Sequence, residues 1–206
     1  MIAVIDYGMG NLRSVEKALR TFTSDIVVTG DPELVRTADA AVLPGVGAFG
    51  DAMTNLTAQG MVPAIHELVR AGKPLLGICL GMQLLFTSSE EHGLHAGLDL
   101  IPGSVKRFQG SFKIPHIGWN RLALQRADRL LTAVESGDYV YWVHSLYVEP
   151  ERRDVILATT DYHGEVPGIV ADRNVFGMQF HPEKSSRVGL QLLDNFLRVA
   201  EEGAKA

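Results

Sequence analysis

The chain has 206 residues, 46% hydrophobic and 21% charged, with a formal net charge of −5, a size and balance expected of one domain, 1–206, with a substantial core. The mild acidity and lack of a long basic run argue against nucleic acid or an anionic membrane surface as the main partner, and the single cysteine, Cys79, excludes an internal disulfide and suits a reducing compartment. No apolar stretch reaches membrane-spanning length, and Met1-Ile2-Ala3-Val4-Ile5-Asp6 reads as a first strand rather than a signal sequence, so the expected location is cytoplasmic.

The first half alternates strand and helix. Ile2–Asp6 is a run of strand formers ended by Tyr7-Gly8-Met9-Gly10. Asn11 can cap the helix that follows, whose apolar positions Leu12, Val15, Ala18, Leu19 and Phe22 keep helical spacing. Ile26–Val28 is a second strand, and Asp31-Pro32-Glu33 opens a helix with a cap followed by proline in the first turn. Ala40–Leu43 is a third strand, ending in Pro44-Gly45-Val46-Gly47. Helical patterns cross Gly50–Thr57 and Val62–Arg70, and Lys73-Pro74 opens the next strand. This βαβα order predicts a mostly parallel central sheet with helices on both faces. The second half adds further strands at Gly103–Phe108, Gly118–Leu124, Tyr139–Val148, Val155–Tyr162, Ile169–Ala171 and Val175–Phe180. An amphipathic helix, Ser186–Glu202, follows, with a tail expected to fray over Glu201–Ala206.

Cys79 stands in Gly77-Ile78-Cys79-Leu80-Gly81, between an apolar run (Leu75, Leu76, Ile78) and a helical pattern (Met82, Leu84, Leu85, Phe86). That is the G-x-nucleophile-x-G pattern of a strand-to-helix elbow, with cysteine where hydrolases carry serine. Side chains two residues either side of the nucleophile would collide with neighbouring backbone, which explains the glycines. The helix N-terminus beyond favours a thiolate. The plainer alternative is a buried structural cysteine in a core strand.

A cysteine nucleophile needs a base, and His181 stands just past the apolar strand end at Phe180, where parallel α/β sheets place their sites. Pro182 stops the strand, and Glu183 can fold back to accept from the imidazole and fix its tautomer. The alternative is a surface His-Pro-Glu turn. The two glycines of Pro44-Gly45-Val46-Gly47 let the backbone turn an N–H towards a developing oxyanion, with the N–H of Leu80 as a second donor, unless the segment is an ordinary βα turn. Gln83 lies one helical turn after Cys79 on the same face, either binding a polar substrate or simply solvated. His144 reads as a core histidine within its strand. One thiol without an H-x₃₋₅-H pair argues against structural zinc, and Gly8-Met9-Gly10 lacks the third glycine of a dinucleotide fingerprint, so neither metal nor cofactor is expected.

Taken in chain order, Asp6–Ser14, Pro44–Phe49, Gly77–Gln83, Pro115-His116-Ile117-Gly118-Trp119-Asn120, His144-Ser145 and Phe176–Ser185 resemble the class I (triad) glutamine amidotransferases over nearly the whole chain. The Tyr-Gly-Met-Gly-Asn and Pro-His-Ile-Gly-Trp-Asn blocks are similar, more narrowly, to the glutaminase subunits of imidazole glycerol phosphate synthases. The resemblance implies a flavodoxin-like fold and a Cys79–His181–Glu183 triad that hydrolyses L-glutamine through a thioester. It implies an oxyanion hole near Val46 and Leu80, and glutamine held by Gln83 and the main chain around Gly47, Ser145 and Leu146. It also implies a heterodimer with a (β/α)₈ cyclase of histidine biosynthesis, reached by channelled ammonia and facing Asn11, Trp119 and Lys184. In this family the oxyanion peptide turns correctly only when the synthase subunit is occupied. A glutaminase serving another synthase (sugar, anthranilate, guanylate or pyridoxal phosphate), a free-standing Cys–His hydrolase and a non-enzymatic regulator remain as alternatives. Trp119 alone reads equally as an interface anchor or a core tryptophan.

Overall fold

The computed structural model describes residues 1–203. The elements run β1 (Ile2–Ile5), α1 (Leu12–Leu19), β2 (Ile26–Thr29), α2 (Pro32–Thr37), β3 (Ala40–Gly45), α3 (Phe49–Ala58), α4 (Met61–Arg70), β4 (Leu75–Cys79) and α5 (Leu80–Leu84). After these come β5 (Phe86–Ser89), β6 (His95–Ala96), β7 (Ile101–Arg107), β8 (His116–Arg121), β9 (Ala123–Leu124), β10 (Tyr139–His144) and β11 (Leu146–Pro150). The chain closes with β12 (Ile156–Asp161), β13 (Glu165–Asp172), β14 (Val175–Met178) and α6 (Ser186–Gly203).

The central sheet has eight strands in the order β2-β1-β3-β4-β14-β13-β12-β9. Its first five strands pair in parallel and the last three continue antiparallel, which is the expected sandwich with an antiparallel second half. Side chains alternate across it with period two. Ile2, Val4, Ala40, Val42, Leu76 and Ile78 face a core shared with α1 and α6. Ala3, Ile5, Ala41, Leu43 and Leu75 face a second core under α3 and α4. Two small sheets, β10-β8 and β11-β7-β5-β6, stand beside the central one. No helix among the described residues is long and apolar enough to cross a membrane.

Several boundaries differ from the sequence expectation, each for a local reason. Asn11 precedes α1 but its side chain makes no capping bond, whereas the Asp31 carboxylate accepts the Glu33 N–H at 2.9 Å as expected. The helix after the elbow stops at Leu84, and Phe86 begins a strand instead. The carbonyls of Leu84 and Leu85, which a longer helix would use, accept from the N–H groups of Leu98 and Leu100 at 2.8 Å. The run Tyr139–Val148 breaks at Ser145 because β10 pairs with β8 and β11 with β7, in different sheets. The run Gly118–Leu124 starts earlier, at His116, and breaks at Leu122, whose N–H turns to the Asp138 carbonyl at 2.8 Å. β14 ends at Met178, since the Gln179 N–H bonds the Gly168 carbonyl at 2.9 Å. Residues 201–203 complete α6, and the rest of the expected fray lies outside the described residues.

Candidate active site

The carboxyl ends of three neighbouring parallel strands, β3, β4 and β14, meet at one point. Gly45 pairs with Cys79, and Met178 with Ile78, so the register fixes the Pro44–Gly47 turn on one side of the cysteine and the Gln179–His181 segment on the other. At the elbow Cys79 itself has φ +56°, in the left-handed region that costs a non-glycine residue about 1–3 kcal/mol. Both flanking glycines are required: a Cβ on Gly81 would run into the Leu43 carbonyl, and one on Gly77 into the Gly81 carbonyl.

His181 is held by its backbone and its ring. Its N–H donates to the Tyr141 carbonyl at 3.0 Å, and the Ser185 hydroxyl donates to the His181 carbonyl at 2.6 Å. Nδ1 meets Glu183 Oε1 at 2.8 Å, leaving the other ring nitrogen free for the thiol side. The His181 and Glu183 side chains are 4% and 1% exposed, and the second Glu183 oxygen has no partner. Burial pushes the His181 pKa down, but the bonds and charges of Cys79 and Glu183 outweigh it and raise it to about 9. The thiol also faces the Val143 carbonyl, 3.9 Å away.

These groups open into a cavity of about 300 Å³ lined by Val46, Gly47, Cys79, Leu80, Gln83, Glu91, Pro115, Val143, His144, Ser145, Leu146 and His181. The structure thus brings together Cys79, His181, Val46, Leu80, Gly47, Gln83, Ser145 and Leu146, with Glu183 directly behind. Gln83 is buried, its amide donating to Leu146 O at 3.4 Å and to Gln179 Oε1 at 3.1 Å. Two neighbours escaped the sequence reading. Gln179 is fully buried and donates to Cys79 Sγ at 3.9 Å; a polar residue in the otherwise apolar Val175–Phe180 run was its only signal. Glu91, whose Oε2 accepts the Phe49 N–H at 2.6 Å, lies in a polar stretch that resembles any surface loop. A larger groove of about 690 Å³ runs beneath Phe108, Phe112 and Tyr162 but contains neither the thiol nor His181.

Of the residues expected at a partner face, Trp119 is 52% exposed against Tyr141, and Lys184 is exposed. Asn11 is half-buried and shares a narrow space with His181 and Glu183. Val46, Ile117 and Tyr139 add further exposed apolar surface on the same elements or on the cavity rim. No group of three or more His, Cys, Asp or Glu among the described residues could hold a metal ion.

A cysteine elbow, a buried His–Glu pair and a cavity at the ends of parallel strands are what a site of the amidotransferase class requires, and the chain belongs to the class I glutamine amidotransferase family, whose pattern matches residues 3–200. Among curated proteins it is 50% identical to "Imidazole glycerol phosphate synthase subunit HisH" of Moorella thermoacetica over 100% of this chain and 98% of the relative. It is also 50% identical to the protein of the same name from Bacillus subtilis, over 98% of each. In fold it is similar to a crystal structure of a glutamine amidotransferase (TM-score 0.78, 18% identity, 98% of this chain and 100% of the other). It is similar as well to the PurLQS structure from Thermotoga maritima (TM-score 0.76, 18% identity, 96% and 97%).

Proposed function

We infer that this chain is the glutaminase subunit of an imidazole glycerol phosphate synthase, acting as one glutamine amidotransferase domain. The observation that carries the reaction is the placement of His181 between Cys79 and Glu183 at one cavity. In the proposed cycle, Cys79 Sγ attacks the side-chain amide carbon of glutamine while His181 manages the thiol proton. The developing oxyanion lies between the N–H groups of Val46 and Leu80. His181 then gives a proton to the leaving nitrogen, the C–N bond breaks, and ammonia departs from a thioester. Water, deprotonated by the same imidazole, hydrolyses the thioester to glutamate and the free thiol. Glu183 keeps the ring oriented and favours its charged form. Gln83 and the main chain of Gly47, Ser145 and Leu146 hold the glutamine, and Glu91, the carboxylate lining the cavity, is the natural partner of its α-ammonium group.

Full-length similarity to proteins named HisH supports the destination of the ammonia: a (β/α)₈ cyclase joined in a heterodimer, with Asn11, Trp119 and Lys184 at the joint. Glutamate release from glutamine, measured with and without that cyclase and a nucleotide ligand, tests this reading. Low activity alone and a strong rise with the loaded partner is the expected result, and Cys79→Ser abolishes it. Full activity of the isolated chain, unchanged by the cyclase, would overturn the regulated-subunit reading.

A further inference from the structure

We propose that His116 and His144 form a buried hydrogen-bond relay that fixes the Leu146 backbone, a wall of the glutamine cavity, from the outer strand that carries Trp119. The proposal rests on the glutaminase reading for its consequence, though not for its geometry.

Three contacts run in series. Asn120 Nδ2 lies 3.3 Å from His116 Nε2, His116 Nδ1 lies 3.0 Å from His144 Nε2, and His144 Nδ1 lies 2.7 Å from Leu146 O. Leu146 O also accepts from Gln83, whose amide continues through Gln179 to the Cys79 sulfur. Both ends dictate the direction. A carbonyl can only accept, so His144 must carry its proton on Nδ1. In a neutral ring Nε2 is then a lone pair, and His116 must donate to it from its own Nδ1. That leaves His116 Nε2 as an acceptor facing the Asn120 amide. The Asn120 orientation is set independently: its Oδ1 accepts the Arg121 N–H at 2.8 Å, and its Nδ2 also donates to the Asp161 carbonyl at 3.0 Å.

The rings cannot easily turn away. His116 is stacked between Trp142, centroids 5.2 Å apart, and Tyr162, centroids 3.9 Å apart, and His144 packs on Phe108 at 5.3 Å. An extra proton anywhere in the series would set two donors face to face, and burial accordingly pushes both imidazoles down to about 4. Neither ring reaches the thiol, so both are positioning residues. Asn120 neighbours Trp119 on β8, which places the outer end of the relay beside exposed apolar surface.

Two measurements on the full chain test this. Long-range ¹⁵N–¹H spectra near neutral pH are expected to show His116 and His144 both neutral and both protonated on Nδ1; an Nε2–H form of either ring overturns the relay. His116→Phe keeps an aromatic ring against Trp142 and Tyr162 but removes the donor to His144 Nε2. In the complex with the cyclase it is expected to raise KM for glutamine about twofold to tenfold, the size of one lost hydrogen bond, with kcat little changed. An unchanged KM, or a loss confined to kcat, overturns the positioning role. The spectra need no turnover, so an inactive wild-type protein would defeat the glutaminase reading while the tautomers still decided the relay.

Discussion

His181 and His144 line the same cavity and both are buried, yet their proton affinities move in opposite directions: His181 is raised to about 9 and His144 lowered to about 4. Burial acts downward on both. The difference lies in what each ring meets. His181 has a carboxylate on one nitrogen and a thiol beside the other, so its charged form is well served. His144 meets a neutral carbonyl, a neutral imidazole and the positive side of His181, so its charged form has nothing to pair with. On the proposed mechanism one wall of the cavity moves protons and the other holds still.

The largest way to break that contrast is to remove the ring on the moving side. His181→Ala is expected to lower kcat by about 10²–10⁴-fold, the usual worth of a general acid–base, in assays of glutamate release. Glu183→Gln keeps a hydrogen-bonding group of the same size beside the ring, and its loss should be smaller. Equal losses would mean that Glu183 does more than orient. A backbone effect comes next: Gly81→Ala forces a Cβ against the Leu43 carbonyl and should cost about 1–3 kcal/mol in denaturant unfolding, with activity falling as the elbow shifts.

The smallest effects are slopes of stability against pH, and they should differ in sign between the two walls. Folding raises the His181 pKa from 6.5 to about 9, so its contribution is complete below pH 6.5 and fades as pH rises through about 9. Folding lowers His116 and His144 from 6.5 to about 4, so their contribution is complete above pH 6.5 and fades as pH falls towards 4. Melting curves of His181→Gln should lose alkaline slope, and those of His144→Gln acid slope.

The parallel half of the fold was legible because each strand and helix there carries its own periodicity and its own stop, as at Asp31-Pro32 or Pro44–Gly47. The antiparallel half was less so. Met82–Phe86 reads as one helix, and only the arrival of Leu98–Ile101 at the Leu84 and Leu85 carbonyls ends it. Likewise nothing within Tyr139–Val148 reveals that its two ends join different sheets. The placement of Cys79, His181, Glu183 and Gln83 could be read because each follows a strand end or a helical turn. Glu91 reaches the cavity, and Gln179 the Cys79 sulfur, through tertiary placement, and the pairing of His116 with His144 depends on the β8–β10 register.

The positive φ of Cys79 has a consequence for how such a protein would drift. Glycine is the residue most at ease with that backbone, so Cys79→Gly would release strain at the very position where it ends the proposed chemistry. A library of variants sorted only for yield or heat resistance would therefore enrich inert chains at this site, and soundness of fold would become a misleading guide to fitness. The sulfur persists only where its product is demanded.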